Sequence, residues 1–379
     1  MLSTNIIRMS AAGSGKTWGI CNEALSVVSD QSKHVLIMTY TNKGVDTVNI
    51  EIEKQNGGMQ SYRIVVRSWF QFLMTEMLKP YQSFIIEINK LKSFDFSDRY
   101  DQVNYRKKGD PLRYLSSCRS YVKKDNASEL AVYLNKISNG IVVRRLEDIY
   151  SHIYIDEFQD MAGYDVDIVK LLFNSSVSIT CVGDNKQATY ATHSTRKNKK
   201  TTGKNLWNFC AEVQKKGLAV INESMQSRRF NNDICTFANS IYPNAQNATT
   251  CMTETTGHDG VFIIERANVL SYYAYFKPNV LKYDKRIDTC NLHALNFGVC
   301  KGMTFERVLI FTNGPLSGFL SGKKLKSPEK YYVAVTRPRF SLTLVVDKFP
   351  KVAPFEPTQI NLGNSIIPAL KYVVLNVED

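Results

Sequence analysis

The sequence predicts an α/β protein made of two lobes of mostly parallel sheet, and three observations carry that prediction. Short apolar runs at residues 5–9, 34–38, 152–155 and 178–182 each end in a polar or glycine-rich turn and lead into a helix-like stretch. Strands alternating with helices in this way build a parallel sheet whose ligands gather at the strands' carboxyl ends. A second series of runs follows at residues 261–264, 307–311 and 342–346, with helical periodicity at 231–241 and 328–336. Finally, 379 residues at 44% hydrophobic content suffice for two or three separate cores.

Composition removes several classes of function. No apolar run approaches the ~18–20 residues of a membrane span, and the first residues lack a secretory pattern. The eight cysteines are scattered without a CxxC pair, which argues against a disulfide framework or a zinc module and for reduced cytoplasmic thiols. Lys and Arg number 48 against 35 Asp and Glu, and the resulting +13 favours a polyanionic partner.

Taken in order, residues 1–69 and 146–218 read as the first lobe. Residues 70–145, rich in Tyr, Lys, Arg and Ser, read as a small, mostly helical insertion into it. Residues 219–379 read as the second lobe, and its tail from Pro350, with prolines at 354, 357 and 368, is expected to wrap the surface rather than extend the sheet.

The run Ser10-Ala11-Ala12-Gly13-Ser14-Gly15-Lys16-Thr17 lies between the first strand and a helix. Its glycines let backbone N–H groups turn toward phosphate oxygens, and the helix N-terminus adds partial positive charge. Lys16 would reach the β- and γ-phosphates and Thr17 would place its hydroxyl on Mg²⁺. Asp156 and Glu157 end the strand at 152–155. Adjacent strand residues point to opposite faces, so the two carboxylates can divide their roles: Asp156 on the metal, Glu157 deprotonating the attacking water.

The ordered motifs extend this pair. Thr39-Tyr40-Thr41-Asn42-Lys43 and Arg67-Ser68-Trp69-Phe70 come first. Asp156-Glu157-Phe158-Gln159-Asp160 and Gly183-Asp184-Asn185-Lys186-Gln187 follow, the latter running on to Tyr190. Ser227-Arg228-Arg229-Phe230, Cys300-Lys301-Gly302-Met303-Thr304 and Val335-Thr336-Arg337-Pro338 complete the series. Together they resemble the UvrD/Rep-like superfamily-1 DNA helicases, in a compact form lacking the large second accessory domain. The resemblance implies two RecA-like P-loop lobes with parallel sheets, ATP and Mg²⁺ in the cleft between them, and single-stranded DNA across their top, with RNA as the alternative strand.

On the matching positions, the resemblance implies a γ-phosphate sensor at Gln187 and two arginines, Arg229 and Arg337, that offset transition-state charge. Arg228 and Gly302 would lie on the nucleotide. Thr41, Asn42, Lys43, Ser68, Trp69, Phe70 and Tyr190 would contact the strand, with at least one of Trp69 and Phe70 exposed. Two basic stretches, residues 99–124 and 195–204, are expected to add phosphate contacts. Departures from the family pattern are equally specific. Arg228 replaces a stacking tyrosine, Thr192 a base-stacking tryptophan and Thr304 a glutamate, while Glu23 or Asn22 stands where an arginine is expected. The implied activity is an ATP-dependent translocase or helicase of 3′-to-5′ polarity. The alternative is a strand-sensing ATPase switch that regulates a partner nuclease, as in anti-phage defence complexes.

Overall fold

The computed structural model describes residues 5–30, 32–87, 90–97, 106–188, 197–198, 200, 205–350 and 354–373. The chain divides into two compact units, Met1–Ser10 with Lys16–Glu223 and Ala11–Gly15 with Ser224–Asp379. The fold is α/β, each unit being built on a mostly parallel sheet.

In the first unit the strands are β1 (Ile6–Ser10), β2 (His34–Thr39), β3 (Ile64–Ser68), β4 (Ser93–Asp95), β5 (Tyr121–Lys123), β6 (Tyr150–Ile155), β7 (Ser178–Gly183) and β8 (Val220–Ser224). Six of them form a sheet in the order β3-β2-β6-β7-β1-β8. The pairs β1/β7, β2/β3, β2/β6 and β6/β7 are parallel, with Met9 beside Gly183 and Ile155 beside Cys181. Parallel strands all end on one edge, so this register collects the residues that follow β1, β6 and β7 at neighbouring positions.

Both faces of the sheet are covered, which is why its strands read as nearly continuous apolar runs. Val35, Ile37, Tyr154 and Val182 pack under the helices Lys16–Asp30 and Asn42–Gln55, against Ile20, Cys21, Val48 and Ile52. Leu36, Met38, Ile153 and Ile179 face the other way, against Trp69, Phe72, Leu130 and Leu134. The last three come from the segment 70–145, so the insertion shares the first unit's core and is not a compact unit of its own. Nor is it simply helical. A π-helical turn (Leu73–Leu78), a 3₁₀ stretch (Lys79–Phe84) and the parallel pair β4/β5 precede the helices Ala127–Ile137 and Ile141–Ile149.

The second unit adds the short pair β9 (Gln226–Ser227) and β10 (Thr249–Thr250). Its main strands are β11 (Gly260–Glu265), β12 (Asn279–Lys282), β13 (Ala294–Asn296), β14 (Phe305–Phe311), β15 (Pro338–Val346), β16 (Phe355–Asn361) and β17 (Ile366–Tyr372). They form one sheet, β13-β12-β14-β15-β11-β17-β16. The tail therefore extends the sheet, against the expectation from its prolines. Pro357 lies on the edge strand β16, where a missing N–H is tolerated. Pro368 lies on β17 beyond the stretch, Leu370–Lys371, that pairs with β11. Among the described residues no helix is long and apolar enough to cross a membrane.

Candidate nucleotide site and strand-facing surface

The phosphate loop follows β1 and ends where the helix Lys16–Asp30 begins. Gly13 and Gly15 both take positive φ, +73° and +83°. Gly13 is also required sterically: a Cβ there would sit 2.5 Å from Arg229 Cβ and 2.7 Å from Ser227 Oγ. The loop backbone is pinned within the second unit, where Ala11 N–H donates to the Ser224 carbonyl and Arg228 N–H to the Gly13 carbonyl, both at 2.9 Å. Lys16 Nζ donates to the Ser10 carbonyl at 3.3 Å. Ser14 Oγ is buried with no hydrogen-bond partner among the described residues. An orphaned hydroxyl within a loop of left-handed glycines suits a phosphate oxygen, so the residues present fit a nucleoside triphosphate.

Thr17 Oγ1 donates to Asp156 Oδ2 at 3.0 Å, which joins the start of the helix to the end of β6. Mg²⁺ keeps several waters and takes few protein ligands beside substrate phosphates, so a hydroxyl and one carboxylate are a sufficient protein contribution. Asp156 is buried, and its N–H donates to the Met38 carbonyl at 2.8 Å. Burial first, and the Glu157 carboxylate second, push its carboxyl above the usual range, while Lys16 and the Thr17 hydroxyl pull the other way.

Strand alternation does not separate the two acids, because β6 stops at Ile155. Glu157 instead takes left-handed backbone, φ +55°, and its N–H donates to Asp156 Oδ1 at 2.9 Å. A relay that sequence reasoning missed begins there. Gln159 Nε2 donates to Glu157 Oε2, and Gln159 Oε1 accepts the Asp184 N–H at 3.0 Å. Asp184 Oδ2 in turn accepts from Gln187 Nε2 at 2.7 Å. Gly183 makes room for this relay, since a Cβ there would lie 2.7 Å from Gln159 Oε1. The available signal was the amide two residues after Glu157, in a position that is almost fully buried.

The second unit brings the two candidate arginines together on one residue. Arg229 Nη1 donates to the Thr336 carbonyl at 3.2 Å, and Arg337 Nη2 to Thr336 Oγ1 at 3.2 Å. Arg337 is 1% exposed and also donates to the carbonyls of Val333 (2.7 Å) and Met303 (3.2 Å). Gly302 precedes Met303 at φ +82°, with open space where a Cβ would be, and the Arg228 side chain is exposed.

Residues 71–198 match the UvrD/REP helicase N-terminal domain. Two curated relatives align with the chain. The ATP-dependent DNA helicase Rep of Buchnera aphidicola subsp. Schizaphis graminum is 24% identical over 236 residues, 48% of this chain and 35% of that protein. Its counterpart from Buchnera aphidicola subsp. Acyrthosiphon pisum is 22% identical over 233 residues, 48% of this chain and 36% of that protein. Over these residues the chain is similar to the UvrD/Rep-like helicases. It spans about a third of the length of these relatives. Among solved structures, an Arterivirus nonstructural protein 10 (helicase) complex with DNA aligns with 91% of this chain and 61% of its own at 15% identity and TM-score 0.47.

The expected strand residues divide. Thr41, Asn42 and Lys43 are exposed at the start of the helix Asn42–Gln55, where Thr41 Oγ1 accepts the Gly44 N–H at 3.0 Å. Ser68 is buried, and its hydroxyl accepts the Gln71 N–H within a capping box. Trp69 corrects the reading of this motif. It is 0% exposed, and its indole donates to the buried Asp165 at 3.0 Å, so it belongs to the core and presents no face to a base. Phe70 is half-buried, so neither aromatic of the pair is openly exposed. Tyr190 and Thr192 lie outside the described residues.

The basic stretches divide in the same way. Arg113 is bound by Glu129 (2.9 Å), Arg106 by Asp110 (2.9 Å) and Lys197 by Asp167 (2.8 Å), which leaves Lys107, Lys108, Arg119 and Lys200 exposed. Arg99 and most of 195–204 lie outside the described residues. Glu23, at a position expected to meet the base, is instead ion-paired with Arg8. Trp18, which no motif assigned, is 51% exposed one residue beyond Thr17.

Proposed function

We propose that this chain is a cytoplasmic motor core that hydrolyses ATP in step with 3′-to-5′ movement along single-stranded DNA. The observation that carries the reading is the 3.0 Å contact of Thr17 with Asp156, at the start of the helix that opens with Lys16. The loop N–H groups and Lys16 bind the β- and γ-phosphates, while Thr17 and Asp156 hold Mg²⁺, which when bound neutralises phosphate charge. Glu157 takes the proton of the attacking water, its carboxylate aimed by the Gln159 amide. Gln187 senses the γ-phosphate and is tied to Gln159 through Asp184. Arg229 and Arg337 supply the positive charge that the transition state needs. Thr41, Asn42 and Lys43 hold strand phosphates at a helix N-terminus.

The test is ATP turnover by wild type and two variants. Lys16→Ala loses nucleotide binding and turnover, whereas Glu157→Gln keeps nucleotide binding and loses turnover by about 10²–10⁴-fold. Wild-type turnover in Glu157→Gln would overturn the assignment of the base.

A second reading, an ATPase switch that regulates a partner nuclease, is favoured by the short connection between β12 and β13, residues 283–293. That connection has no room for a large accessory domain. Displacement of streptavidin from a biotinylated strand by the chain alone supports the motor. Strand-stimulated ATPase without displacement supports the switch.

A further inference from the structure

Trp69 is buried and offers no face to a strand, whereas the insertion carries an exposed aromatic ring. Phe96, just past β4, is 57% exposed. It packs edge-to-face on Phe70, with ring centroids 5.4 Å apart and planes at 76°, and on Phe94 at 6.0 Å and 64°. Phe70 in turn meets Phe94 at 5.2 Å and Tyr40 at 6.4 Å. Tyr40 directly precedes the exposed Thr41-Asn42-Lys43 at the start of the helix Asn42–Gln55.

This cluster is built, not incidental. An edge-to-face contact fixes one rim of a ring and leaves a face available, which a partner ring or a nucleobase can cover. The two-residue strand period puts Lys92, Phe94 and Phe96 on one face, and the Lys92 N–H continues the ladder by donating to the Ser120 carbonyl at 2.8 Å. Lys92 and Lys43 are both exposed, while the nearby Asp95 carboxylate accepts the Ser97 N–H. Cations interleaved with a supported aromatic face suit a single strand, whose phosphates seek the charge and whose bases seek the ring. An acidic protein segment would use the lysines and leave the phenyl faces uncovered.

We propose that Phe96, braced by Phe70 and Phe94, is a base-stacking site for the single strand whose phosphates lie on Thr41, Asn42 and Lys43. The proposal rests on the strand-binding part of the function proposed above. It adds the insertion as a second source of strand contacts and locates the platform that Trp69 does not provide.

The test measures binding, without nucleotide, by fluorescence anisotropy of labelled oligothymidylate and of an all-abasic strand of equal length. Phe96→Ala should weaken oligothymidylate binding by about tenfold or more and leave abasic binding nearly unchanged. Phe96→Trp should keep both, and Lys43→Ala should weaken both alike. Thermal melts of the variants close to wild type establish that the fold persists, as expected for a half-exposed ring. If wild type binds both strands and Phe96→Ala binds oligothymidylate as wild type does, or loses both equally, the stacking site is overturned while the motor reading stands. If wild type binds neither strand, both fall together.

Discussion

Glu157 stands in left-handed backbone, a conformation that costs a non-glycine residue roughly 1–3 kcal/mol and persists only where the surroundings impose it. Here the Gln159 amide and the Asp184 N–H hold the turn. With Glu157 as the base proposed above, Gln159→Ala should therefore lower kcat for ATP about ten- to a hundredfold, with KM nearly unchanged, because Glu157 loses its aim and not its charge. Gly183→Ala should reproduce the defect by pushing the same amide aside. Unchanged kcat in both variants would remove the relay. At this scale the meeting of Thr17 with Asp156 was legible in the sequence, because phosphate- and metal-binding patterns restrict residue type and spacing. The relay from Glu157 to Gln187 was not, since a side-chain amide bridging two loops has no periodicity to read. Trp69 shows the complementary failure. An aromatic in a strand-contacting motif looks the same whether it faces a base or, as here, donates to a buried Asp165 that also accepts from Ser128.

At the level of elements, that Trp69 contact predicts a stability effect. Trp69→Phe leaves the Asp165 carboxylate short of one donor in a fully buried place and should cost about 1–3 kcal/mol in urea unfolding. Two histidines predict an acid limit. Burial holds His152, on β6, and His258, packed between Phe262 and Phe276, down to about 4 from the ordinary 6.5. Between those values the unfolded chain binds protons that the native chain refuses. Stability is therefore complete above pH 6.5, falls as pH drops toward 4, and gains no further penalty from these groups below it. Urea midpoints measured from pH 7 to 4 should fall through this window, and His152→Gln with His258→Gln should flatten the slope. The central strands β1, β2, β6, β7, β11, β14 and β15 were visible as apolar runs, because coverage on both faces makes most of their positions apolar, whereas β3, β8, β12 and β13 were not. The hairpin β16/β17 was not, since prolines argue against a strand until its edge position is known.

For the whole molecule, the two-sheet architecture followed from the two series of runs, whereas the insertion's membership of the first core did not. Its residues are polar between widely spaced anchors such as Phe72, Leu130 and Leu134, and only packing joins them. The net charge of +13 predicts that strand affinity falls steeply and linearly on a log–log plot against salt, as counterions are released. A flat response would dissociate the exposed lysines from strand binding. The claim on which everything else depends is that a strand on Thr41–Lys43 and the phosphate site at Lys16–Thr17 act as one machine. Steady-state ATP hydrolysis with and without saturating single-stranded DNA tests it most directly. The account predicts a large rise in kcat with the single strand and little with blunt duplex; equal rates under all three conditions would contradict it.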